Sequence, residues 1–411
     1  MIIGIDGNEA NVKNRVGSNV YAFQILKGIW KTQNSGPSLT ENVKNKKFVI
    51  FLKNKPLADM PPEKDWWQYR VLKPEFLWTQ WRLPLDLFLR NANKFAIPKS
   101  TSANMDQRAI SRWLKFAKPK EPIDLFFTPG HYGPRFCPVP LVISIMDLAF
   151  LTFPSQFRKK DLVQLKRWTR RSVNQAEKIL TISQATKNDI IDYYQVKQGK
   201  IEVIYPGMSK PKIQDSKPQS KSKILGKYKI KGKYFLYIGT LQPRKNLVRL
   251  IKAFSQSLNL SISQSLNLII VGKKGWLYEE IFDQVKKLGL EKKVVFTGFV
   301  SEKEKRGLLE NAFGFVLPSL YEGFGFPVLE AMQAGCPVVV SRVSSLPEVA
   351  GEAAVYITNP ESVDSIYQAL EKMVKLGPKE REELVRKGYQ QVKKFSWKKT
   401  AEKTLSLLES L

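Results

Sequence analysis

Apolar residues fall along the chain in short runs separated by amphipathic stretches, and the alternation occurs twice. Near the start, IIGID reads as a buried strand, VYAFQILKGIW as a helix and KKFVIFL as the next strand. IDLFFTP, PLVISIMD, EKILTIS and IEVIYP follow, short runs rich in β-branched and aromatic residues and punctuated by Pro, Gly or Ser. Between them, KKDLVQLKRWTRRSVNQA has helical spacing. Strand and helix in strict alternation are the pattern of an open parallel sheet. Then the texture changes. SKPKIQDSKPQSKSKILGKYKIKGK is polar, unpatterned and rich in Lys, Ser and Pro, and reads as a linker. The alternation restarts with YFLYIG, LNLIIVG, KVVFTGFV, GFVLPS, CPVVVS and AAVYI.

The expected fold class is therefore α/β, with two tandem Rossmann-like doubly wound domains. The first covers residues 1–208, the linker 209–232 and the second domain 233–394. A polar segment at about 92–121 reads as a surface insertion that can carry a helix. The hexamer SQSLNL, at Ser255 and again at Ser263, is a local duplication that lengthens a helix end or loop.

Length supports this division, because 411 residues exceed one ordinary core. With 43% hydrophobic and 11% aromatic residues, the chain can bury real cores. No apolar run reaches the roughly 18 residues of a membrane span. MIIGIDGNEA lacks a basic, then apolar, leader pattern and reads as a first strand. Cys137 and Cys336 stand far apart with no CxxC, which excludes a zinc ribbon or disulfide scaffold and suits a reducing, cytoplasmic setting. The net charge of +30 attracts polyanions: nucleic acid, anionic headgroups or phosphorylated small molecules. A lysine-rich solvated surface would give the same number. No RRM, zinc or helix-turn-helix signature accompanies the charge.

Two stretches carry chemistry. In YFLYIGTLQPRKNLVRLIKAF a strand ends at Gly239 and a helix begins near Asn246, whose side chain is expected to cap it. Arg244 and Lys245 then sit at a helix mouth that is already positive, a conflict that an anion would relieve. Two solvated loop cations are the alternative. In SLYEGFGFPVLEAMQAGCPVVVS, Pro327 fits a first helical turn and Ala334-Gly335 its end. Glu330 lies about one turn in and leans toward the helix mouth, while Glu322 lies on the preceding loop. Gly323 and Gly325 let backbone amides approach a ligand. Amides suit phosphate and ionised carboxylates suit vicinal hydroxyls, as a nucleotide sugar requires. Two glutamates can equally form a metal or acid/base pair, or decorate a capped surface helix. No Asp-x-Asp or nearby His supports a metal, and none is expected.

GTLQPRKN, IIVGKKGW, VVFTGFVS and PSLYEGFGFPVLEAMQAGCPVVVSRVSSLPEVAGEAA together resemble the nucleotide-binding half of the retaining glycosyltransferases of family 4. DLFFTPGHYG, VISIMDLAFLTFP and ILTISQATKNDIIDYYQV resemble the family's first domain, and FSWKKTAEKTLSLL its final helix. The resemblance implies the glycosyltransferase type B fold, two domains facing a central cleft, with residues 395–411 crossing back onto the first domain. It implies that Glu322 holds donor hexose hydroxyls and Glu330 the ribose. Arg244 and Lys245 would neutralise the diphosphate and stabilise the leaving group. Gly323, Phe324 and Gly325 match the backbone nest. Gly298, Phe299 and Val300 match the strand end lining the base pocket. Gly17, Gly239 and Thr240 complete the implied donor site.

Two positions depart from the family pattern. Gly17-Ser18-Asn19 replaces Gly-x-Gly, and Met146-Asp147 replaces His-Asp, so Asp147 is left as the polar catalytic candidate there. The sole histidine, His131, lies in a Pro/Gly loop and reads as a satisfied loop residue.

The resulting expectation is a retaining, metal-independent hexosyltransferase of envelope polysaccharide synthesis, without a cofactor. Its partners are a nucleotide-sugar donor (GDP- or UDP-hexose, with GDP-mannose favoured by resemblance) and an oligosaccharide or lipid-linked acceptor. Peripheral contact with the inner face of an anionic membrane is expected, and nucleic acid is not. The alternatives are a same-fold epimerase or sucrose- or glycogen-type synthase, an inactive relative, and a non-enzymatic polyanion binder.

Overall fold

The computed structural model describes residues 1–34, 46–92, 121–209, 221–258 and 265–411. Seven parallel strands form the first sheet: β1 (Ile2–Asp6), β2 (Lys47–Leu52), β3 (Trp67–Val71), β4 (Leu125–Thr128), β5 (Leu141–Ile145), β6 (Lys178–Thr181) and β7 (Ile201–Val203). Their spatial order is β3-β2-β1-β4-β5-β6-β7. The second sheet has six: β8 (Tyr234–Ile238), β9 (Asn267–Val271), β10 (Val294–Gly298), β11 (Gly314–Leu317), β12 (Val338–Ser341) and β13 (Ala354–Ile357). These run β10-β9-β8-β11-β12-β13, also all parallel.

Parallel strands joined by helices are covered on both faces, which is why these segments are continuous apolar runs. Ile3 and Ile5 of β1 are fully buried, and Ile3 pairs with Phe48 on one side and Leu125 on the other. In the second sheet Phe235, Leu236 and Tyr237 are equally buried, and Leu236 pairs with Ile269 and Phe315.

Both orders reverse once, between β1 and β4 and between β8 and β11. At such a switch point neighbouring connections leave in opposite directions and open a crevice at the carboxyl ends of the strands. The loops after β1 and β4 belong to one crevice, and those after β8 and β11 to the other.

The two domains touch at defined places. Helix Trp397–Glu409 returns from the second domain to helix Ser18–Asn34. There the Trp397 ring lies 6.2 Å from that of Tyr21, and Thr400 Oγ1 donates to the Tyr205 carbonyl at 2.8 Å. Glu348 reaches across from the second domain. Its carboxylate accepts from the Gln184 and Ala185 amides at 2.7 and 2.8 Å, the first turn of helix Gln184–Tyr194, and from the Tyr205 hydroxyl at 2.8 Å. A carboxylate at that helix end satisfies two otherwise orphan donors.

Three features differ from the sequence reading. The segment 209–232 is not unpatterned throughout, because Lys221–Lys227 is helical and its Ile224 is buried among residues of the second core. Edge strand β3 and helix Leu83–Asn91 were not anticipated; β3 buries only Trp67 and so shows no apolar run. The insertion at about 92–121 lies almost wholly outside the described residues. So does part of the duplicated hexamer, whose first copy ends helix Leu247–Ser257 and whose last residues enter β9.

Candidate active site

The loop after β11 runs Pro318–Gly325 and the loop after β8 runs Gly239–Asn246, side by side at the second switch point. Three polar links fasten them. The Leu320 amide donates to the Arg244 carbonyl at 2.9 Å, and the Arg244 guanidinium donates to the Tyr321 carbonyl. Asn246 Nδ2 donates to the Pro318 and Pro360 carbonyls at 3.0 and 2.6 Å. Asn246 precedes the helix as expected, but with φ at +62° its side chain does not cap it. It is spent on joining loops instead, and Asn tolerates this left-handed position better than most residues.

Between the loops sits Glu322. Lys245 Nζ is 2.5 Å from its Oε1, Arg244 NH1 3.6 Å from its Oε2, and Ser319 Oγ donates to Oε1 at 2.7 Å. Its amide donates to Ser344 Oγ, while Ser345 Oγ donates to the carbonyls of Glu322 and Phe324, each at 2.8 Å. Burial alone would raise the Glu322 carboxyl, but the two cations outweigh it and hold it below the ordinary glutamate range. Burial pushes the Lys245 ammonium down, with Glu322 opposing. Two cations face one carboxylate.

Gly323 and Gly325 have separate reasons. A Cβ on Gly323 would lie 2.4 Å from the Met146 carbonyl oxygen and 2.8 Å from Asp147 Cβ, so this loop meets the first domain backbone to backbone. Gly325 starts helix Phe326–Gln333 at φ +106°, outside the range of other residues. Phe324 is buried and stacks edge-on against Phe395 with ring centres 5.5 Å apart. Its side chain anchors the loop in the core.

Glu330 pairs with Lys305 at 2.8 Å, and Lys305 also meets Glu302 at 2.9 Å. Burial raises the Glu330 carboxyl despite Lys305. Gly239, at the end of β8, stands next to Gly272 after β9, whose amide donates to the carbonyl of Gly298 at the end of β10. Thr240 is exposed and its carbonyl accepts from the Tyr237 hydroxyl at 3.3 Å. Phe299 is exposed under the Lys273 ammonium, whereas Val300 is buried in the core. Of the expected base-pocket trio, only Phe299 offers a side-chain surface.

On the first domain, Asp147 Oδ1 accepts from the Ala149 amide at 3.1 Å, and its carbonyl accepts from His131 Nε2 at 2.7 Å. The loop after β4 is thereby tied to the loop after β5 directly opposite Gly323. His131 is satisfied, as expected, but by the segment that faces the cleft. Gly17 (φ +53°) precedes helix Ser18–Asn34, where Asn19 Nδ2 donates to Glu9 at 2.7 Å. Tyr321 spans the cleft. Its hydroxyl donates to Asp189 Oδ2 at 2.5 Å and accepts from the Leu148 amide at 3.2 Å.

Sequence reasoning missed Ser319, Ser344, Ser345, Lys305 and Tyr321. Ser344-Ser345 had a signal, since paired hydroxyls follow a strand and precede Leu-Pro-Glu. Lys305 had none, because 25 residues separate it from its partner. Among the described residues, no three His, Cys, Asp or Glu side chains converge as a metal site would need.

The sequence also matches two known families. Residues 220–391 match the profile of glycosyl transferases group 1, and residues 81–209 that of glycosyltransferase family 4. O-antigen chain mannosyltransferase B of Escherichia coli is 32% identical over 286 residues, 68% of this chain and 74% of that protein. The chain belongs to the family 4 glycosyltransferases. O-antigen chain mannosyltransferase RfbU of Salmonella typhimurium is also 32% identical, over 57% of this chain and 61% of its own length. Anabaena HepE, solved with UDP and glucose, superposes with a TM-score of 0.66 over 100% of this chain and 99% of that one, at 16% identity. That likeness shows the fold, glycosyltransferase type B. No helix among the described residues is long and apolar enough to cross a membrane.

Proposed function

We propose that this family 4 enzyme is a retaining hexosyltransferase that takes its sugar from GDP-mannose and acts in cell-envelope polysaccharide assembly. The observation that carries the reading is the buried convergence of Arg244, Lys245 and Glu322 at the switch point, beside the Gly323–Gly325 amides and facing Asp147. The mannosyltransferase names of its relatives support the donor and the pathway.

Arg244 and Lys245 neutralise the donor diphosphate and stabilise it as it leaves, so the charge that develops meets preorganised cations. Glu322 accepts hydrogen bonds from the hexose and fixes Lys245. Glu330, held by Lys305, takes the ribose hydroxyls. Gly17, Gly239, Thr240 and Gly298 give close backbone approach, and Phe299 borders the base. The acceptor hydroxyl enters on the face the diphosphate leaves, with Asp147 beside the reacting sugar and the closed cleft supplying orientation. The acceptor is an oligosaccharide or lipid-linked glycan, and the enzyme works on the inner face of the membrane without a metal or cofactor.

A melting screen against nucleotide sugars tests the donor, because a ligand at about 100 times its dissociation constant adds about 2.7 kcal/mol. GDP-mannose is expected to raise the midpoint above UDP-glucose, and the product anomer to match the donor's on NMR. Stabilisation by UDP-glucose alone removes the donor assignment, and an inverted anomer removes the retaining one. Nucleotide-sugar binding without turnover assigns the chain to inactive relatives.

A further inference from the structure

A second cationic site lies outside the cleft. Helix Lys159–Gln175 presents Arg167, Arg170, Arg171 and Asn174 at helical spacing, so all four share one face. Opposite them the loop after β4 brings Arg135 and Phe136, and together they line an open cavity of about 750 Å³. Among the described residues none of these four arginines has a carboxylate in ion-pair range. Arg171 donates only to Gln80 Oε1, at 3.2 Å. Burial and then the neighbouring Arg135 and Arg167 pull the Arg171 guanidinium below its ordinary value.

Four unneutralised guanidinium groups around one opening repel one another, and an oxyanion relieves that. Guanidinium forks match phosphate oxygens two at a time. The rim is aromatic. Trp81 and Phe136 are 58% and 65% exposed, and the Arg135 guanidinium lies over both rings at 4.9 and 5.5 Å. Leu85, one helical turn beyond Trp81, is also exposed. A small phosphorylated metabolite would use the cations and leave the rings in water. A bilayer interface uses both, phosphate headgroups on the cations and amphipathic rings at headgroup depth.

We propose that this arginine cavity, with Trp81 and Phe136 beside it, docks the first domain on the anionic surface of a lipid bilayer. The proposal deepens the reading of a membrane-facing transferase by giving the contact its residues. Its position suits that role. The loop that carries Arg135 also carries His131, four residues earlier and bonded to Asp147 at the cleft. Four residues span at most about 14 Å. Docking here holds the acceptor side of the cleft next to the headgroups, where a lipid-linked acceptor presents its sugar.

Co-sedimentation of the full chain with vesicles tests it, comparing phosphatidylcholine alone with phosphatidylcholine mixed with phosphatidylglycerol. Wild type is expected to pellet with the mixed vesicles only. Arg167→Gln/Arg170→Gln, both at exposed positions, is expected to weaken that binding roughly 30-fold, about fivefold per charge removed near the surface. Trp81→Ser/Phe136→Ser is expected to weaken it with the salt dependence unchanged. Lys286→Gln/Lys287→Gln, which removes the same charge from the second domain, leaves it intact. Transfer to a soluble acceptor is unaffected by the arginine pair. Equal loss in the lysine control, full binding in the arginine variant, or no binding by wild type overturns the proposal while leaving the transferase reading standing. Absence of transfer by wild type that still binds vesicles does the reverse. RNA or DNA binding abolished by the same arginines, without vesicle binding, would assign the patch to nucleic acid.

Discussion

Lys245 Nζ stands 2.5 Å from Glu322 Oε1, with both side chains almost wholly out of water. Removing one partner of a buried pair costs up to about 3–5 kcal/mol, here lessened on the Glu322 side by Arg244 at 3.6 Å, whereas removing both costs far less. Lys245→Ala is therefore expected to lower the melting midpoint and turnover together. Lys245→Ala/Glu322→Gln is expected to recover much of the stability and none of the turnover. A double-mutant cycle of melts and rates checks this; additive stability losses would mean that the pair is not coupled.

Lys245 and its neighbour Arg244 also bear on metal use. If Arg244 and Lys245 stand at the leaving group as proposed, with no cluster of metal ligands among the described residues, turnover is expected to persist in excess chelator. Strict dependence on Mg²⁺ or Mn²⁺ would show that charge is neutralised in another way.

Gly323 gives a steric prediction. Its Cα faces the Met146 carbonyl so closely that a methyl group would meet the oxygen at 2.4 Å. Gly323→Ala must part the domains at that point. Turnover is expected to fall at least tenfold while free nucleotide binds nearly as before, since Arg244 and Lys245, the cations proposed to hold the diphosphate, lie on one domain. Wild-type turnover in this variant would mean that the contact is dispensable.

Asp6 supplies the pH dependence. Burial raises its carboxyl from the ordinary value to about 6, and the amide and side chain of Asn8 only partly offset this. The folded state holds this proton more tightly than the unfolded chain, so stability falls as pH rises from about 4 to about 6 and stays lower above. A shift of about two pKa units corresponds to about 3 kcal/mol. Asp6→Asn keeps an acceptor for Asn8 and cannot ionise. Its midpoint is expected to exceed wild type at neutral pH, with the gap closing toward about pH 4. A gap independent of pH would show that Asp6 does not titrate this way.

The sheets were legible because parallel strands must be apolar on both faces, and IIGID, YFLYIG and CPVVVS have no other reading. β3 was not, because an edge strand buries one residue and looks like a loop. Arg244, Lys245 and Glu322 were legible as chemistry in the wrong setting: cations at a helix mouth and an acid in a glycine bend. Their pairing with one another was not, since 77 residues separate Lys245 from Glu322. Glu330 was placed on the correct helix, but its partner Lys305 comes from a different helix, which local spacing cannot show. Asn246 had the sequence of a cap, and tertiary contacts to Pro318 and Pro360 claimed its side chain.

The division of labour between Glu322 and Glu330 is the centre of the account. Glu330→Gln, at the position proposed to hold the ribose, is expected to weaken nucleotide and nucleotide sugar alike, raising KM more than it lowers kcat. Glu322→Gln, at the position proposed to hold the sugar as it becomes oxocarbenium-like, is expected to leave free GDP affinity nearly unchanged while lowering kcat. Calorimetric titration of GDP, together with steady-state rates for both variants, reads the two roles separately. The predicted result is lost GDP affinity in Glu330→Gln and lost kcat with intact GDP affinity in Glu322→Gln; the opposite assignment, or no change in either variant, would contradict it.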